Sequence, residues 1–204
     1  MSDLKDTYDK IAEDWHRDHL EDSWWVEGTN KYISFLKPGS TVLDVGCGAG
    51  VKSQYLSSKG LKVTGIDFSE KLIEIAKREV PKNTFLVRDI YQSLNLEQQF
   101  DGVFAQAVLL HIPKKDLPKI LANLLSALRL GGYLYVALKE KREEEQEEQV
   151  EKENDYGYDY ERFFSYFTLP EVKKYLLNAG LEIVYETVTT SGRRNWIQVI
   201  AKKS

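Results

Sequence analysis

Short apolar runs recur along the chain, and most are followed by a segment whose apolar residues fall three or four apart. The runs are 41–46 (TVLDVG), 62–67 (KVTGID), 84–89 (TFLVRD), 100–108 (FDGVFAQAV) and 133–139 (YLYVALK). Between them the spacing predicts a helix over 51–59 that ends at Gly60, and one over 70–79 with Ser69 as its cap and Pro81 beyond it. A third helix is expected over 114–130, ending at Gly131-Gly132. Apolar strands alternating with helices make βαβ units, hence a parallel sheet covered on both faces. Upstream, Leu4, Tyr8, Ile11, Ala12 and Trp15 lie at helical spacing behind Asp3, a candidate cap, and a second helix is expected over about 24–36, stopping at Pro38-Gly39. Downstream the pattern changes. Thr168 and Glu171 have capping-box spacing and open a helix that ends at Gly180. Two alternating runs on either side of a Ser-Gly turn, 181–190 and 195–203, then predict a β-hairpin. The expected fold is α/β: a doubly wound, mostly parallel sheet closed by an antiparallel C-terminal hairpin.

The chemistry begins at 42–50, VLDVGCGAG. A glycine turn after a first parallel strand lets the backbone bend sharply and a ligand approach it, while the next helix offers unpaired N–H groups. Two phosphate-binding frames fail. A P-loop needs Gly-Lys-Ser/Thr, whereas Gly50 is followed by Val51 and Lys52. The dinucleotide fingerprint needs two residues before its third glycine, whereas Gly46, Gly48 and Gly50 are separated by one residue each. The next two strands end in Asp67 and Asp89, and Asp44 stands inside the first turn. Ligands of open α/β sheets sit at the carboxyl ends of the strands, where a carboxylate can accept both hydroxyls of a ribose. Three acids without a basic phosphate clamp point to a phosphate-free nucleoside with positive charge nearby.

At these residues the chain resembles the class I S-adenosylmethionine-dependent methyltransferases. VLDVGCGAG is similar to their first motif, VTGIDFS to the ribose motif, VRDI to the adenine motif, and FDGVFAQAVLLHIP and LRLGGYLYV to the segments around strands four and five. The resemblance spans essentially the whole chain and implies one domain over 1–204 with a Rossmann-like seven-stranded sheet. Within it, helices in 1–37 cover the cofactor and an acidic and aromatic cap occupies 140–167. The implied cofactor is S-adenosylmethionine, with S-adenosylhomocysteine as product. Residue by residue, the resemblance implies that Asp44, Gly46, Cys47, Gly48 and Gly50 face the methionine part. Asp67 takes the ribose, with Phe68 near the adenine, and Asp89 with Ile90 holds the adenine edge. Gln106 and Ala107 touch the methionine part, and Tyr8 and Trp15 close over the cofactor. The Cys47 side chain reads as a small packing residue rather than a nucleophile, and Tyr8 and Trp15 read equally as core aromatics of an amphipathic helix.

Composition narrows the acceptor. The chain of 204 residues has a formal net charge of −4, which argues against a nucleic-acid partner. The acidity is local: 139–155 holds nine acids and four bases, and reads as a solvated helix or mobile loop. Next comes YGYDYERFFSYF, with seven aromatics in twelve residues. Tyr158, Tyr160, Phe163 and Tyr166 are candidate walls of an acceptor pocket, and Arg162 and Arg194 are candidate anion contacts. His111, after strand four, reads either as a general base or as a cap or packing residue. His16 and His19 share a helix face, but no acid or cysteine motif completes a metal site. One cysteine and no apolar leader suggest a cytoplasmic protein. A monomer or homodimer acting on a small molecule, without a membrane partner, is expected. Two other readings remain open: a binding module without catalysis, and an NAD(P)-dependent oxidoreductase.

Overall fold

The computed structural model describes residues 2–94, 96 and 98–204; the side chains of Ser2 and Asp3, and so the cap expected of Asp3, lie outside that description. Five strands run parallel: β1 (Thr41–Val45), β2 (Lys62–Asp67), β3 (Thr84–Val87), β4 (Phe100–Gln106) and the end of β5 (Leu128–Lys139). The C-terminal hairpin, β8 (Leu181–Ser191) and β9 (Arg194–Lys203), adds to the same sheet, with β9 antiparallel to β5. The order of the seven strands is β3-β2-β1-β4-β5-β9-β8. It reverses between β1 and β4, so a crevice opens at their carboxyl ends.

Five helices cover the sheet or its edge: α2 (Val26–Ile33), α3 (Val51–Ser58), α4 (Glu70–Glu79), α5 (Leu117–Ala127) and α6 (Leu169–Asn178). One core joins α5 and α6 to the sheet through Leu43, Val103, Ile120, Leu124, Val136 and Val199. A second lies beneath α2 and α3, where Tyr32, Leu56, Phe104 and Tyr135 pack together. Two caps match their sequence signatures. Ser69 accepts from the Leu72 amide, and Thr168 forms a complete capping box with Glu171. Gly102 on β4 lets α2 sit close to the sheet: a Cβ there would lie 2.0 Å from Tyr32 Oη.

The remaining elements stand over the crevice. Helix α1 (Ser2–Asp18) is tied to the start of α4, where Asp9 accepts from Ser69 Oγ and the Lys71 amide. A separate two-stranded sheet, β6 (Glu148–Glu153) with β7 (Tyr160–Ser165), leans on α1. There Thr7 Oγ1 donates to the Glu161 carbonyl and Lys10 Nζ to that of Asp159.

Three expectations change. Part of the acidic run is a strand, not a helix or loose loop: Glu148–Glu153 pairs antiparallel with Tyr160–Ser165. The helix expected over 114–130 ends at Ala127, after a 3₁₀ turn at Lys114–Asp116, because Leu128 already pairs with Phe100 and the strand bulges before Tyr133 meets Gly102. The second helix is shorter than expected, Val26–Ile33.

Candidate functional site

The floor of the crevice is the glycine turn. Gly46, Gly48 and Gly50 all have left-handed backbone, with φ of 65°, 52° and 86°. This conformation costs little only without a Cβ. Gly48 lines the cleft, and a Cβ placed on it would meet nothing within 4 Å. At the end of β4, Ala107 also has positive φ, 55°, with its amide donating to the Ala137 carbonyl. A left-handed non-glycine residue at a strand end is strained, and such strain gathers at sites.

The cleft has two lobes. One, of about 600 Å³, is largely apolar and runs past Phe68, Asp89, Ile90 and Val108. The other, of about 720 Å³, runs under Tyr8 and Trp15 past Gly46, Cys47, Gly48, Lys52 and Gln106. Asp67 stands between them and lines both. Its two carboxylate oxygens accept the Gly48 amide at 3.0 Å and the Ser69 amide at 2.9 Å, which fixes the carboxylate at the turn. Burial raises its pKa to about 6, against the pull of those amides.

Gln106 is 4 % exposed, and neither its Oε1 nor its Nε2 has a hydrogen-bond partner. Burying a side-chain amide without partners costs free energy. A ligand that both donates and accepts hydrogen bonds in this lobe would satisfy it, as the amino-acid end of S-adenosylmethionine can. The open side of Gly48 and the orphaned Gln106 amide therefore fit that cofactor.

Asp44 departs from its expected place. It is 2 % exposed and lies beneath the turn, with its carboxylate accepting from Ser53 Oγ at 2.6 Å. It lines neither lobe, so it is corrected from a facing residue to a support for the turn and α3. Burial raises it also to about 6. Cys47 lines the cleft, and burial, followed by Asp67 and Asp44, pushes its thiol well above the ordinary range. A thiol so held is inert. Asp89 is exposed at the rim and accepts from the Tyr91 amide.

His111 reaches both lobes and the hollow beyond them. Its Nδ1 lies 2.7 Å from the Phe163 carbonyl and its Nε2 lies 2.9 Å from Tyr8 Oη. A carbonyl only accepts, so the proton sits on Nδ1, and Tyr8 donates to Nε2. Burial lowers its pKa to about 3, helped by the cations of Arg162 and Lys139. The imidazole is neutral and engaged at both nitrogens, which disfavours it as a base taking a full proton.

Past His111 and Ala107 opens a hollow of about 790 Å³ between α1, β5 and the β6–β7 hairpin. Arg162 lines it, held by Glu153 through Nε at 2.6 Å and Nη2 at 2.5 Å, with Nη1 donating to Tyr8 Oη at 3.3 Å. Of the other residues expected here, Tyr160 lines it and the rest do not. Phe163 alternates to the opposite face of β7, next to the exposed Val150 in the pairing. Tyr158 donates to Asp14 of α1. Tyr166 is fully buried and bonds Glu151, and Arg194 pairs with Glu145 at 2.7 Å. The walls that do line it include Trp15, Trp24, Tyr156, Tyr160, Phe164 and Trp196, with Lys139. A period-two reading of 160–165 puts Phe164 on the same face as Tyr160 and Arg162 and could have found it too. Lys52, in both the second lobe and the hollow, also escaped the sequence reading.

Residues 42–132 match the family described as a methyltransferase domain. The sheet order, with the glycine turn at its switch point, is the class I methyltransferase fold. Among its relatives, a ubiquinone biosynthesis O-methyltransferase of Coxiella burnetii is 31% identical over 136 residues, 57% of this chain and 56% of that protein. The match thus spans little more than half the length of that relative. A solved S-adenosylmethionine-dependent methyltransferase of Methanosarcina mazei is 25% identical over 83% of this chain and 95% of its own, with a TM-score of 0.73. The 1,6-didemethyltoxoflavin-N1-methyltransferase of Burkholderia thailandensis, solved with 1,6-didemethyltoxoflavin and S-adenosylhomocysteine, shares the fold at 19% identity. Its TM-score is 0.80, over 100% of this chain and 88% of that one.

Proposed function

We propose that the protein transfers a methyl group from S-adenosylmethionine to a small molecule bound in the hollow beyond the cleft. The observation that carries this reading is the buried, unpartnered Gln106 amide beside the open face of Gly48, at the switch point of a methyltransferase fold. The cofactor supplies a methyl carbon on a positively charged sulfur. The chain's part is to bind, orient and exclude water.

In this reading Asp67 receives the ribose hydroxyls, while Phe68, Asp89 and Ile90 receive the adenine. Gln106, the Gly46–Gly50 backbone and Lys52 hold the amino-acid end, Lys52 meeting its carboxylate. Tyr8 and Trp15 form the roof. Bound there, the cofactor would supply its methyl carbon to the acceptor's lone pair, the carbon–sulfur pair leaving on sulfur and any acceptor proton going to water at the pocket mouth. His111 positions the Tyr8 hydroxyl rather than taking that proton. Among the described residues no cluster of histidine, cysteine and acids could hold a metal ion, and no helix is long and apolar enough to cross a membrane. Action in the cytoplasm, as a monomer or homodimer and without a nucleic-acid partner, belongs to the same proposal.

The test is calorimetric titration with S-adenosylhomocysteine and with NAD(H), followed by labelled methyl transfer across a metabolite panel. S-adenosylhomocysteine should bind, and Asp67→Ala should weaken it by about 1–3 kcal/mol, the cost of leaving such hydrogen bonds unmade. Binding of NAD(H) alone would overturn the reading. Cofactor binding without turnover of any acceptor would favour a module that only binds.

A further inference from the structure

We propose that the hollow takes an aromatic acceptor carrying an anionic group, and that the ammonium of Lys139 is the partner of that group. The proposal rests on the methyl-transfer reading and names the class of its acceptor.

Lys139 is the last residue of β5, two positions beyond Ala137, which pairs with Gln106. Its Nζ stands 3.7 Å from the centre of the Phe164 ring. Neighbouring cations are matched: Arg162 is clamped by Glu153, and Arg194 pairs with Glu145. Among the described residues no carboxylate lies within ion-pair distance of Lys139. Glu151, which attracts it through space, is occupied by Tyr166 Oη, and Glu153 by Arg162. Burial draws its pKa down to about 8, the mark of an ammonium short of compensation. A half-buried cation resting on a ring face, with no carboxylate at ion-pair distance, is completed by a ligand that brings one.

The walls give the shape. Trp24 stacks on Trp196 with centroids 4.0 Å apart and planes at 21°, and Tyr156 stacks on Tyr160 at 5.6 Å and 11°. Parallel ring pairs offer flat faces, which suit a planar guest. The hollow's acids do not cancel the charge at its inner end. Asp155 accepts from Tyr160 Oη, and Asp18 is exposed, with Asp22 partly so. An aromatic acid would lie along the flat walls, its anion on Lys139 and its far edge towards Ala107 and the cleft.

The experiment is calorimetric titration of the whole protein, with and without S-adenosylhomocysteine, using 3,4-dihydroxybenzoate and its neutral match 3,4-dihydroxybenzamide. The acid should bind about tenfold or more tightly than the amide, a difference of about 1.4 kcal/mol or more. Lys139→Met should remove that preference and Lys139→Arg should keep most of it. Affinity for S-adenosylhomocysteine should stay within about twofold in both variants, which also shows that they are folded. Equal affinity for acid and amide, a preference that survives Lys139→Met, or no binding of either probe would overturn the proposal and leave methyl transfer standing. If S-adenosylhomocysteine does not bind, the functional reading falls, and the titration without it still decides the preference for the acid.

Discussion

His111 shows how a single residue's environment decides between roles that its identity leaves open. From the sequence it reads as a base or a packing residue. The structure buries it beside two cations, which disfavour the imidazolium and outweigh the Phe163 carbonyl that favours it. Its neutrality has a measurable consequence. With a pKa of about 3 in the fold against about 6.5 when unfolded, the unfolded chain takes up the proton first as pH falls. The stability His111 provides is complete above about pH 6.5 and is lost progressively below it, by about 2 kcal/mol at pH 5. Asp44 and Asp67, raised to about 6, work in the opposite sense, because they take up protons more readily in the fold. The measurement must therefore be a difference. In urea unfolding, the stability gap between the wild type and His111→Asn should narrow by about 2 kcal/mol from pH 7 to pH 5. An unchanged gap would show that the folded protein carries a charged histidine. Lys139 and Lys52 were not legible as site residues, because an isolated lysine at the end of an apolar strand or in a first helical turn looks solvated. Only packing shows where its ammonium goes.

Elements were legible wherever their faces differed in polarity. The strands β1, β2 and β4, and the helices α3, α4 and α6, follow from apolar runs, caps and terminal glycines. The strand β6 was hidden because neither of its faces is apolar. Its sequence, EQVEKE, alternates only between exposed and half-buried positions. The end of α5 was hidden for the opposite reason: Leu128 and Leu130 continue a helical spacing that pairing with β4 overrides. The close contact of α2 with β4 left no trace in the periodicity either, since it depends on one missing Cβ. Gly102→Ala would press on Tyr32 Oη and should destabilise the protein by about 1–3 kcal/mol in urea unfolding, as overpacking does. Combining it with Tyr32→Phe should recover part of the loss, because the hydroxyl is the nearest atom and its own bond to the Tyr133 carbonyl is long, 3.5 Å. A double variant no more stable than Gly102→Ala alone would mean that the backbone of β4 is what suffers.

For the whole molecule, the sequence indicated the class of sheet and its closing hairpin but not the order of its strands. Placing β9 between β5 and β8 is a choice of partners across the sheet, and local pattern does not encode it. Nor did local pattern reveal that the N-terminal helix and the acidic hairpin meet over the crevice. Tyr8, Trp15, His19 and His111 line both the cleft and the hollow, and α1 is bound to the hairpin through Thr7 and Lys10. In the proposed reading one roof serves both ligands, so if either orders α1 the other's cost of binding falls, and by linkage each then changes the other's affinity by the same factor. S-adenosylhomocysteine should tighten 3,4-dihydroxybenzoate by about fivefold or more, with equal tightening in the reverse titration. Amide exchange across Ser2–Asp18 should slow with one ligand and slow further with both.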